Sequence, residues 1–408
     1  MNVSFEEALA SVLGLAGKPA ERVVLLPEAV WEILSRDVVA DRNIPPFHRA
    51  AMDGYAVRWT GKEADRPYRV IGTVNPGDAW SGEAAETDCI KIMTGAKLPE
   101  PFDTVIQVEL TETVREDHVR FQAAVSPGHN IAREGEDAKS GDPLVPCGTL
   151  LQPRHISTLA AVGQWKVNVF SRPSVSVLAT GGELKEPWES ATGAFIRNSN
   201  AHFLLSALKV AGFPHAAYLG IAPDTPEDIR SKIREGLSSD FLILTGGVSA
   251  GEIDIVPECL RACGVKKVLH KISVMPGKPT YVGRSEEGCV VLGLPGNPVA
   301  VIVHFSMLVR PLLLKATGAR ECLPRPIWLP LAGDAKNKGD RMKFSLGRVE
   351  SVGGNSRVVE IPSHGSGDFV STSQADGVFE IPMGVRHLPA GTLVRFYPIW
   401  GDLLTVEG

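Results

Sequence analysis

The stretch Leu242–Asp254 reads Leu-Ile-Leu-Thr-Gly-Gly-Val-Ser-Ala-Gly-Glu-Ile-Asp, and it predicts the fold of the region around it. Its apolar start is too short for a helix and is typical of a buried strand. The glycines predict a loop, and Val256–Cys263 has the pattern of a helix. Open α/β sheets bind ligands where a strand opens into such a loop before a helix. Glycines let backbone N–H groups approach an anion, and the helix terminus favours negative charge.

Strands and helices alternate on both sides of this stretch. Besides Phe241–Leu244, the predicted strands are Val175–Leu178, Ala217–Gly220, Val268–Ile272 and Cys289–Leu292. The predicted helices are Asn200–Ala211, one that starts at Asp224-Thr225-Pro226, and a long apolar one that ends at Leu314. This alternation predicts a doubly wound α/β domain over residues 173–318.

The flanking regions have other patterns. Phe5–Leu15 is predicted to be a helix because Ser4 and Glu7 form a capping-box pattern before it. Pro27–Arg36 and His155–Val162 also have helical patterns. Short β segments between Tyr68 and Phe121 predict a small all-β domain, and Pro326–Glu407 predicts a β-barrel or sandwich.

Composition limits the class of protein. The chain has 408 residues, which is enough for two to four domains. Its net charge of −5 argues against a general nucleic-acid binder. We expect no membrane span, because by this pattern no apolar run approaches the roughly twenty residues required. The first residues lack the features of a signal peptide, so a cytoplasmic location is expected. Six scattered cysteines predict reduced thiols without a structural zinc site.

Common nucleotide-binding loops do not fit the central stretch. Gly246 and Gly251 have the outer spacing of a P-loop, but Glu252-Ile253 stand where lysine and serine or threonine are needed. A dinucleotide fingerprint fails because Val248 occupies its middle glycine position. A plain tight turn is the simplest alternative for one pair of glycines.

Three predicted strands of the same domain end in polar, glycine-bearing loops. These loops are Thr180–Glu183, Thr245–Asp254 and Gly293–Pro298, and Pro276–Pro279 supplies a nearby lysine. If the strands are neighbours, the loops form one crevice that holds Glu183, Ser249, Asp254 and Lys278. Carboxylates in an anion-binding crevice favour Mg²⁺ that bridges to a substrate phosphate.

Two residues of the crevice have a structural alternative. Asn297 with Pro298 fits an N-cap and first helical position better than direct catalysis. Asp224 immediately precedes a capped helix, so both a capping and a binding role are open.

Six ordered motifs give the chain a resemblance to a known family. The motifs are Met52-Asp53-Gly54-Tyr55-Ala56-Val57, Met93-Thr94-Gly95-Ala96, Gly135-Glu136-Asp137, Thr245-Gly246-Gly247-Val248-Ser249-x-Gly251, Pro276-Gly277-Lys278-Pro279 and Gly293-Leu294-Pro295-Gly296-Asn297-Pro298. In this order they resemble MoeA, the molybdopterin molybdenumtransferase family that includes the gephyrin E domain. The resemblance covers essentially the whole chain.

The resemblance implies an elongated homodimer of four-domain subunits. Domain I would comprise residues 1–40 and 139–172, a β-rich domain II residues 41–138, a molybdopterin-binding α/β domain III residues 173–318, and a β-barrel domain IV residues 319–408. The implied reaction is Mg²⁺-dependent insertion of molybdate into adenylylated molybdopterin with release of AMP. Molybdopterin adenylyltransferase and molybdoenzyme apoproteins would be partners.

The resemblance also implies site residues at the matching positions. Asp53, Thr94 and Asp137 would form the domain II side, which faces the α/β domain of the other subunit. Asp53, Glu183 and Asp254 would be catalytic, and Glu183 and Asp254 would hold Mg²⁺. The implied substrate-binding residues are Thr94, Asp137, Asp224, Gly246, Gly247, Ser249, Gly251, Lys278, Pro295 and Asn297.

The chain departs from the family pattern at two cations. Met275 stands where the family usually has a lysine, and Leu346 where it usually has an arginine. Two lost positive charges near an oxyanion would weaken its binding, and Arg49 is a candidate to compensate. These departures keep open the alternative of a diverged paralogue that binds molybdopterin or a related anion without efficient metal insertion. A gephyrin-like scaffold is a further alternative, because a gephyrin-like dimer can serve as one.

Overall fold

The computed structural model describes residues 3–62, 66–122, 125–248, 255–363 and 367–399. The chain begins with α1 (Phe5–Leu13), β1 (Glu21–Leu25) and β2 (Val38–Val39). The predicted capping box of α1 is confirmed, because Glu7 N donates to Ser4 Oγ at 3.2 Å and Ser4 N donates to Glu7 Oε2 at 2.9 Å.

The predicted helix at Pro27–Arg36 is wrong. Only a single 3₁₀ turn forms there, at Leu26–Glu28. Trp31 then adopts a left-handed backbone conformation with φ of 67°, which ends any right-handed helix. Ile33 and Leu34 are buried and form isolated β-bridges with distant residues. Local helix propensity is therefore overridden by long-range pairing.

The described residues of the next region form strands and a 3₁₀ turn, with no α-helix among them. Its elements are β3 (Arg49–Ala50), β4 (Gly54–Val57), β5 (Tyr68–Val74), β6 (Asp88–Ile92), β7 (Thr104–Gln107), β8 (Thr111–Arg115), β9 (His118–Phe121) and β10 (Ile131–Ala132). Six of these strands form one mixed sheet in the order β7-β4-β6-β5-β9-β8, and β10 pairs with β3. The predicted all-β character of this region is confirmed.

The chain then returns to the unit that contains β1 and β2. The returning elements are β11 (Pro143–Val145), α2 (Pro153–Ala161) and β12 (Lys166–Phe170). β11 pairs with β2 and β12 pairs with β1, both antiparallel. Buried apolar residues of both passages, among them Leu34 and Leu159, share one core. The β-rich region is therefore inserted between two halves of one packed unit.

An α/β unit follows. Its elements are β13 (Val175–Thr180), β14 (Leu184–Lys185), β15 (Ile196–Arg197), α3 (Asn200–Val210), β16 (Ala217–Ala222), α4 (Pro226–Gly236), β17 (Phe241–Thr245), α5 (Val256–Ala262), β18 (Lys266–His270), β19 (Val274–Met275), β20 (Tyr281–Arg284), β21 (Val290–Leu294), α6 (Pro298–His304) and α7 (Arg310–Ala316). The sheet order is β16-β13-β17-β21-β20-β18. β16, β13, β17 and β21 are parallel, whereas β20 pairs antiparallel with both β21 and β18. The doubly wound part is confirmed, and the antiparallel edge was not expected.

The order of the parallel strands places a switch point inside the sheet. From β13 the chain moves outward to β16 on one side, and it then crosses to β17 on the other. In open α/β sheets the crevice at the carboxyl ends of such strands is the usual ligand site. The loops after β13 and β17 flank this crevice.

Within the described residues, one helical run reaches the length that a membrane span needs. Pro298–Ala316 comprises α6, a π-turn at Phe305–Val309, and α7, with a mean hydropathy of 1.7. The expectation that no apolar run approaches this length is therefore wrong. Of this run, 83% is buried inside the protein, so it is a core helix. A helix that is apolar on all sides is buried in the centre of a large protein or in a membrane.

The carboxyl-terminal region forms a curved sheet. Its elements are β22 (Ile327–Pro330), β23 (Ala335–Lys336), β24 (Met342–Val352), β25 (Asn355–Glu360), α8 (Phe369–Thr372), β26 (Gly377–Ile381), β27 (His387–Leu388) and β28 (Leu393–Pro398). The sheet runs β19-β24-β26-β28-β22, with β25 paired to β24. Its β22 and β25 edges approach each other at the bridge between Leu331 and Val358. The predicted barrel is therefore a half-barrel.

This half-barrel shares a core with the α/β unit. One apolar cluster contains Phe5 of α1, Leu292 of β21, Leu312 of α7 and Phe344 of β24. The rings of Phe5 and Phe344 lie 5.2 Å apart in an edge-to-face arrangement. The half-barrel is thus held directly against α1 and the α/β unit.

A buried histidine lies in the same core. His304 of α6 is fully buried, and its Nε2 lies 3.3 Å from Thr280 Oγ1. A Cβ on Gly277 would lie 1.8 Å from that Nε2, so the Pro276–Pro279 loop packs directly on the ring. Burial away from water lowers the pKa of His304 to about 4, although backbone hydrogen bonds to Gly277 and Pro276 oppose this shift.

This depressed pKa makes stability depend on pH. Because the folded protein favours neutral His304, its contribution is complete above the ordinary pKa of 6.5 and is lost as the pH falls towards about 4. We expect the free energy of unfolding to decrease by about 2 kcal/mol between pH 7.5 and pH 5. Urea denaturation at both pH values measures this change.

His304→Gln is the matched control, because it keeps a group for Thr280 but does not titrate. Burial also lowers the pKa of His155, which adds a change of the same sign in both proteins. The difference between wild type and variant isolates His304. An identical loss in both proteins would contradict the prediction.

Candidate functional site

A cavity of about 950 Å³ lies at the switch point of the α/β sheet. Its residues come from the loops that follow β13, β16, β17 and β21, and from β15, α3, α5 and α8. They include Thr180, Gly181, Glu183, Asp224, Thr245, Gly246, Gly247, Gly296, Asn297 and Pro298. The predicted neighbourhood of the three strands is confirmed by their pairing. The cavity is large enough for a cofactor-sized ligand.

The glycines of this cavity let the loops pack closely. Gly246 has a φ of 96°, and a Cβ on it would lie 2.3 Å from the backbone oxygen of Thr180. Its N–H donates to Leu294 O at 3.1 Å. Gly296 lies against the same residue, since its Cβ would be 3.6 Å from Gly246 Cα. Glycine is required at Gly246 by both backbone conformation and space.

Two asparagines organise the same edge. Asn200 Nδ2 donates to Thr245 Oγ1 at 3.1 Å and to Gly296 O at 2.8 Å, so it ties the loops after β17 and β21 together. The sequence pattern predicts Asn200 as a helical residue only, and the signal for its role in the site is an amide at a helix start near the crevice. Asn297 accepts from Ala300 N at 3.4 Å, which confirms the N-cap interpretation, and it also lines the cavity.

Two carboxylates face the cavity. Asp224 Oδ2 accepts from Gly182 N at 2.7 Å, whereas the cap of α4 is Thr225, which accepts from Asp228 N. Asp224 therefore does not cap the helix. The Glu183 carboxylate folds back over Gly181, where an added Cβ would lie 2.7 Å from Oε2. The arrangement places two anionic oxygen groups beside a glycine-rich backbone wall.

Three family models match successive parts of the chain. The MoeA N-terminal region (domain I and II) matches residues 3–163, a probable molybdopterin binding domain matches residues 176–315, and the MoeA C-terminal region (domain IV) matches residues 329–399. Together they account for most of the chain in the order that the motifs predict.

The chain belongs to the MoeA family.

Curated relatives and solved structures agree with this MoeA assignment. A molybdopterin molybdenumtransferase of Staphylococcus aureus is 28% identical over 398 residues, covering 96% of this chain and 94% of the relative. One of Staphylococcus epidermidis is 29% identical over 400 residues, with the same coverage. The structure of a molybdopterin biosynthesis MoeA protein from Pyrococcus horikoshii OT3 has a TM-score of 0.82 and 27% identity, covering 98% of this chain and all of that chain.

The MoeA resemblance predicts further residues that lie away from this cavity in the single chain. Asp53 Oδ1 accepts from Thr94 N at 2.7 Å and from Thr94 Oγ1 at 2.6 Å. These hydrogen bonds lower the pKa of Asp53 and keep it ionised. Asp137 donates its N–H to Ile44 O in the loop before β11. None of Asp53, Thr94 and Asp137 is among the residues that line the cavity.

Two other predicted contacts also lie outside the cavity lining. Lys278 is exposed on the loop between β19 and β20, and it is not brought to the cavity wall with Glu183. Pro295 is buried immediately before Gly296. The expected crevice therefore gathers the three loops and Glu183, but not the lysine. Contacts of Lys278 and Pro295 with substrate stay predictions.

Part of the predicted metal site falls outside the described residues. Ser249, Gly251 and Asp254 lie there, so the pair Glu183–Asp254 stays a prediction. Within the described ranges, no group of three or more His, Cys, Asp or Glu side chains could hold a metal ion. Glu183 and Asp224 nevertheless supply hard oxygen ligands in one cavity. That donor set fits Mg²⁺, which usually binds one or two carboxylates and keeps several waters.

The two positions of the missing MoeA cations differ from each other. Met275 is half-buried in β19, where its backbone pairs with Lys343 of β24. Leu346 is 3% exposed and belongs to the apolar core shared with the α/β unit. The interpretation of Leu346 as a lost oxyanion-binding cation is wrong, because this side chain packs in the core. Arg49 is exposed on β3, away from the cavity lining.

Proposed function

We propose that this chain is a molybdopterin molybdenumtransferase of molybdenum cofactor biosynthesis, and that it catalyses Mg²⁺-dependent insertion of molybdate into adenylylated molybdopterin with release of AMP. The observation that carries the proposal is the cavity of a MoeA-family α/β unit in which a glycine-rich wall faces Glu183 and Asp224. Backbone N–H groups bind phosphate, and carboxylates hold the cation that phosphate needs beside them. The reaction is expected in the cytoplasm.

The residues of the cavity have different proposed roles. Gly247 presents its backbone to the phosphate end of the substrate, Gly246 lets its loop pack against Thr180, and Asn200 holds the loops after β17 and β21 at a fixed spacing. Glu183 and Asp224, with Asp254 by family resemblance, would hold Mg²⁺. When bound, Mg²⁺ supplies Lewis acidity and a template for the phosphoanhydride. No side chain is required as nucleophile, because molybdate is the entering group.

The direct test uses the purified full chain with adenylylated molybdopterin, Mg²⁺ and molybdate. AMP should be released in proportion to cofactor formed, and omission of molybdate should stop both. Normal binding of the substrate without any AMP release would overturn the proposal.

The two carboxylates should control the Mg²⁺ requirement. Asp224→Asn keeps an oxygen that can accept from Gly182 N, so the turn stays intact while one charge is lost. We expect Asp224→Asn and Glu183→Gln each to raise the Mg²⁺ concentration for half-maximal turnover about tenfold, as expected for removing a charged ligand group. Mg²⁺ titration of AMP release measures this.

Glu227→Gln is the matched control for these variants. Glu227 is an exposed carboxylate in the first turn of α4, close in sequence to Asp224 but outside the cavity lining. It should leave the Mg²⁺ titration unchanged. A wild-type Mg²⁺ dependence in both cavity variants would remove Glu183 and Asp224 from the proposed metal site.

The proposed enzyme is a homodimer, and an exposed apolar face supports this. Val23 and Leu25 alternate with buried Val24 on β1, so both project from the outer face of the β1–β12 pair. Trp165, which immediately precedes β12, is exposed as well. Adjacent exposed apolar side chains are typical of a protein interface. A second copy would cover them and bring its Asp53, Thr94 and Asp137 to the cavity.

Disrupting this face should separate the subunits. We expect Leu25→Asp to shift the protein from dimer to monomer at micromolar concentration, because a charge would be buried in an apolar interface. Light scattering coupled to size exclusion measures the mass. Val268→Asp, at an exposed position of β18, should remain dimeric. A wild-type protein that is monomeric in this experiment would refute the proposed dimer.

A further inference from the structure

The cavity has an aromatic wall in addition to its polar wall. Phe195 and Phe369 both line it, although they belong to different parts of the chain. They are 44% and 62% exposed. Large apolar side chains that remain exposed at a concave site are typical of ligand-binding surfaces. A phenyl ring has no hydrogen-bonding group, so hydrogen bonding does not explain why either side chain lies at the cavity.

One face of the Phe195 ring is already covered. Lys185 Nζ lies 4.8 Å from the ring centroid, as in a cation–π pair. Lys185 does not line the cavity, whereas Phe195 does. The ring surface available to the cavity is therefore the part that the ammonium does not cover, and a flat group can stack there.

Backbone hydrogen bonds fix the position of Phe195 relative to the carboxylates. The next residue, Ile196, donates its N–H to Glu183 O at 2.9 Å. β14 and β15 are paired in register, with Leu184 opposite Ile196. Phe195 is thus held beside the Glu183 segment rather than on an independent loop.

Phe369 approaches from the half-barrel. It is the first residue of α8, whose N-cap Asp368 accepts from Ser371 N at 3.1 Å. α8 packs against α6, which begins at the cavity residue Pro298. The carboxyl-terminal region of the same chain therefore contributes directly to the cavity.

We propose that Phe195 and Phe369 form a stacking wall for a flat nitrogen heteroaromatic ring, while the phosphate attached to that ring lies at the glycine wall. This inference rests on the proposed function, whose substrate carries two such rings, a pterin and an adenine. Stacking on an aromatic side chain changes the affinity of a base by about tenfold. The wall makes these residues determinants of specificity for the ring.

Three probes separate the ring from the phosphate and distinguish its two sources. AMP carries adenine, neopterin monophosphate carries a pterin, and ribose 5-phosphate carries phosphate without a ring. Phe195→Leu and Phe369→Leu keep apolar volume but remove the aromatic face. Trp188→Leu is the control, because Trp188 is 75% exposed and lies outside the cavity lining.

Calorimetric titration of the full chain measures Kd for each probe. We expect Phe195→Leu and Phe369→Leu to raise Kd about tenfold for at least one ring probe, to leave ribose 5-phosphate unchanged, and to differ from Trp188→Leu. A loss confined to AMP identifies adenine on the wall, and a loss confined to neopterin monophosphate identifies the pterin. Thermal midpoints check that the variants are folded.

The stacking wall and the proposed function can be refuted by different experimental results. If both aromatic variants bind all three probes as the wild type does while AMP release proceeds, the stacking wall is refuted and the function stands. If ring-dependent binding is lost in the variants but the wild type releases no AMP, the function is refuted and the wall stands.

Discussion

Gly246→Ala should reduce turnover by at least about 100-fold. The added Cβ would lie 2.3 Å from Thr180 O, an atom of the backbone at the end of the central strand β13. A strand paired on both sides cannot move away easily, so the Gly246 loop must shift. A displacement of about 1 Å at a site that positions substrate costs about 100-fold in rate. Measured AMP release tests the prediction.

Gly246→Ala should also lower the stability of the protein. Gly246 has a φ of 96°, where an alanine is strained even without the clash. We expect a loss of about 2 to 3 kcal/mol in the free energy of unfolding, measured by urea denaturation.

Gly264→Ala is the matched control for Gly246→Ala. Gly264 has a φ of 81°, and a Cβ there would meet nothing within 4 Å. It should cost only about 1 kcal/mol and leave turnover intact, since it has the strain without the clash. Wild-type turnover in Gly246→Ala would show that close packing of the loops does not position the substrate.

Leu346→Arg should unfold or strongly destabilise the protein rather than restore a cation to the site. Leu346 is 3% exposed, in a core that includes Met342 and Phe344 of the same strand. A guanidinium there would be buried without a partner, which costs about 3 to 5 kcal/mol. The free energy of unfolding measures the effect.

Met275→Lys tests the effect of adding a positive charge at a position that is only half-buried. Met275 is half-buried, so a lysine there can extend its ammonium to solvent or substrate and should leave stability within about 1 kcal/mol of wild type. A large gain in turnover would favour the diverged-paralogue alternative, because it would mean that a missing lysine limits the reaction.

For Leu346→Arg, a variant as stable as the wild type would contradict the argument that Leu346 is buried in an apolar core.

Several parts of the fold were predictable because their causes are local. Ser4 and Glu7 cap α1, Thr225 caps α4, and Asn297 caps α6, each through contacts within three residues. Short apolar runs that end in glycine predicted β13, β17 and β21. The prediction failed at Pro27–Arg36, where a left-handed Trp31 and bridges to distant residues replace a helix.

The candidate site was predictable in part. The pattern identified Glu183, Gly246 and Asn297, because each lies within three residues after the end of a strand. It missed Phe195 and Phe369, which have no distinctive neighbours in sequence and become a wall only when two regions meet. It also grouped Lys278 with the loops, although nearness in sequence does not place it at the cavity lining.

The sequence by itself determined where the backbone turns and which loops carry glycines and carboxylates, because capping, backbone strain and strand length act over a few residues. Only the tertiary structure decided which of these loops meet. Strand order puts the ends of β13 and β17 side by side, and packing of the half-barrel turns Leu346 into the core and brings α8 to the cavity. Leu242–Asp254 begins with a strand buried between two neighbours, and those neighbours lie dozens of residues away in the chain.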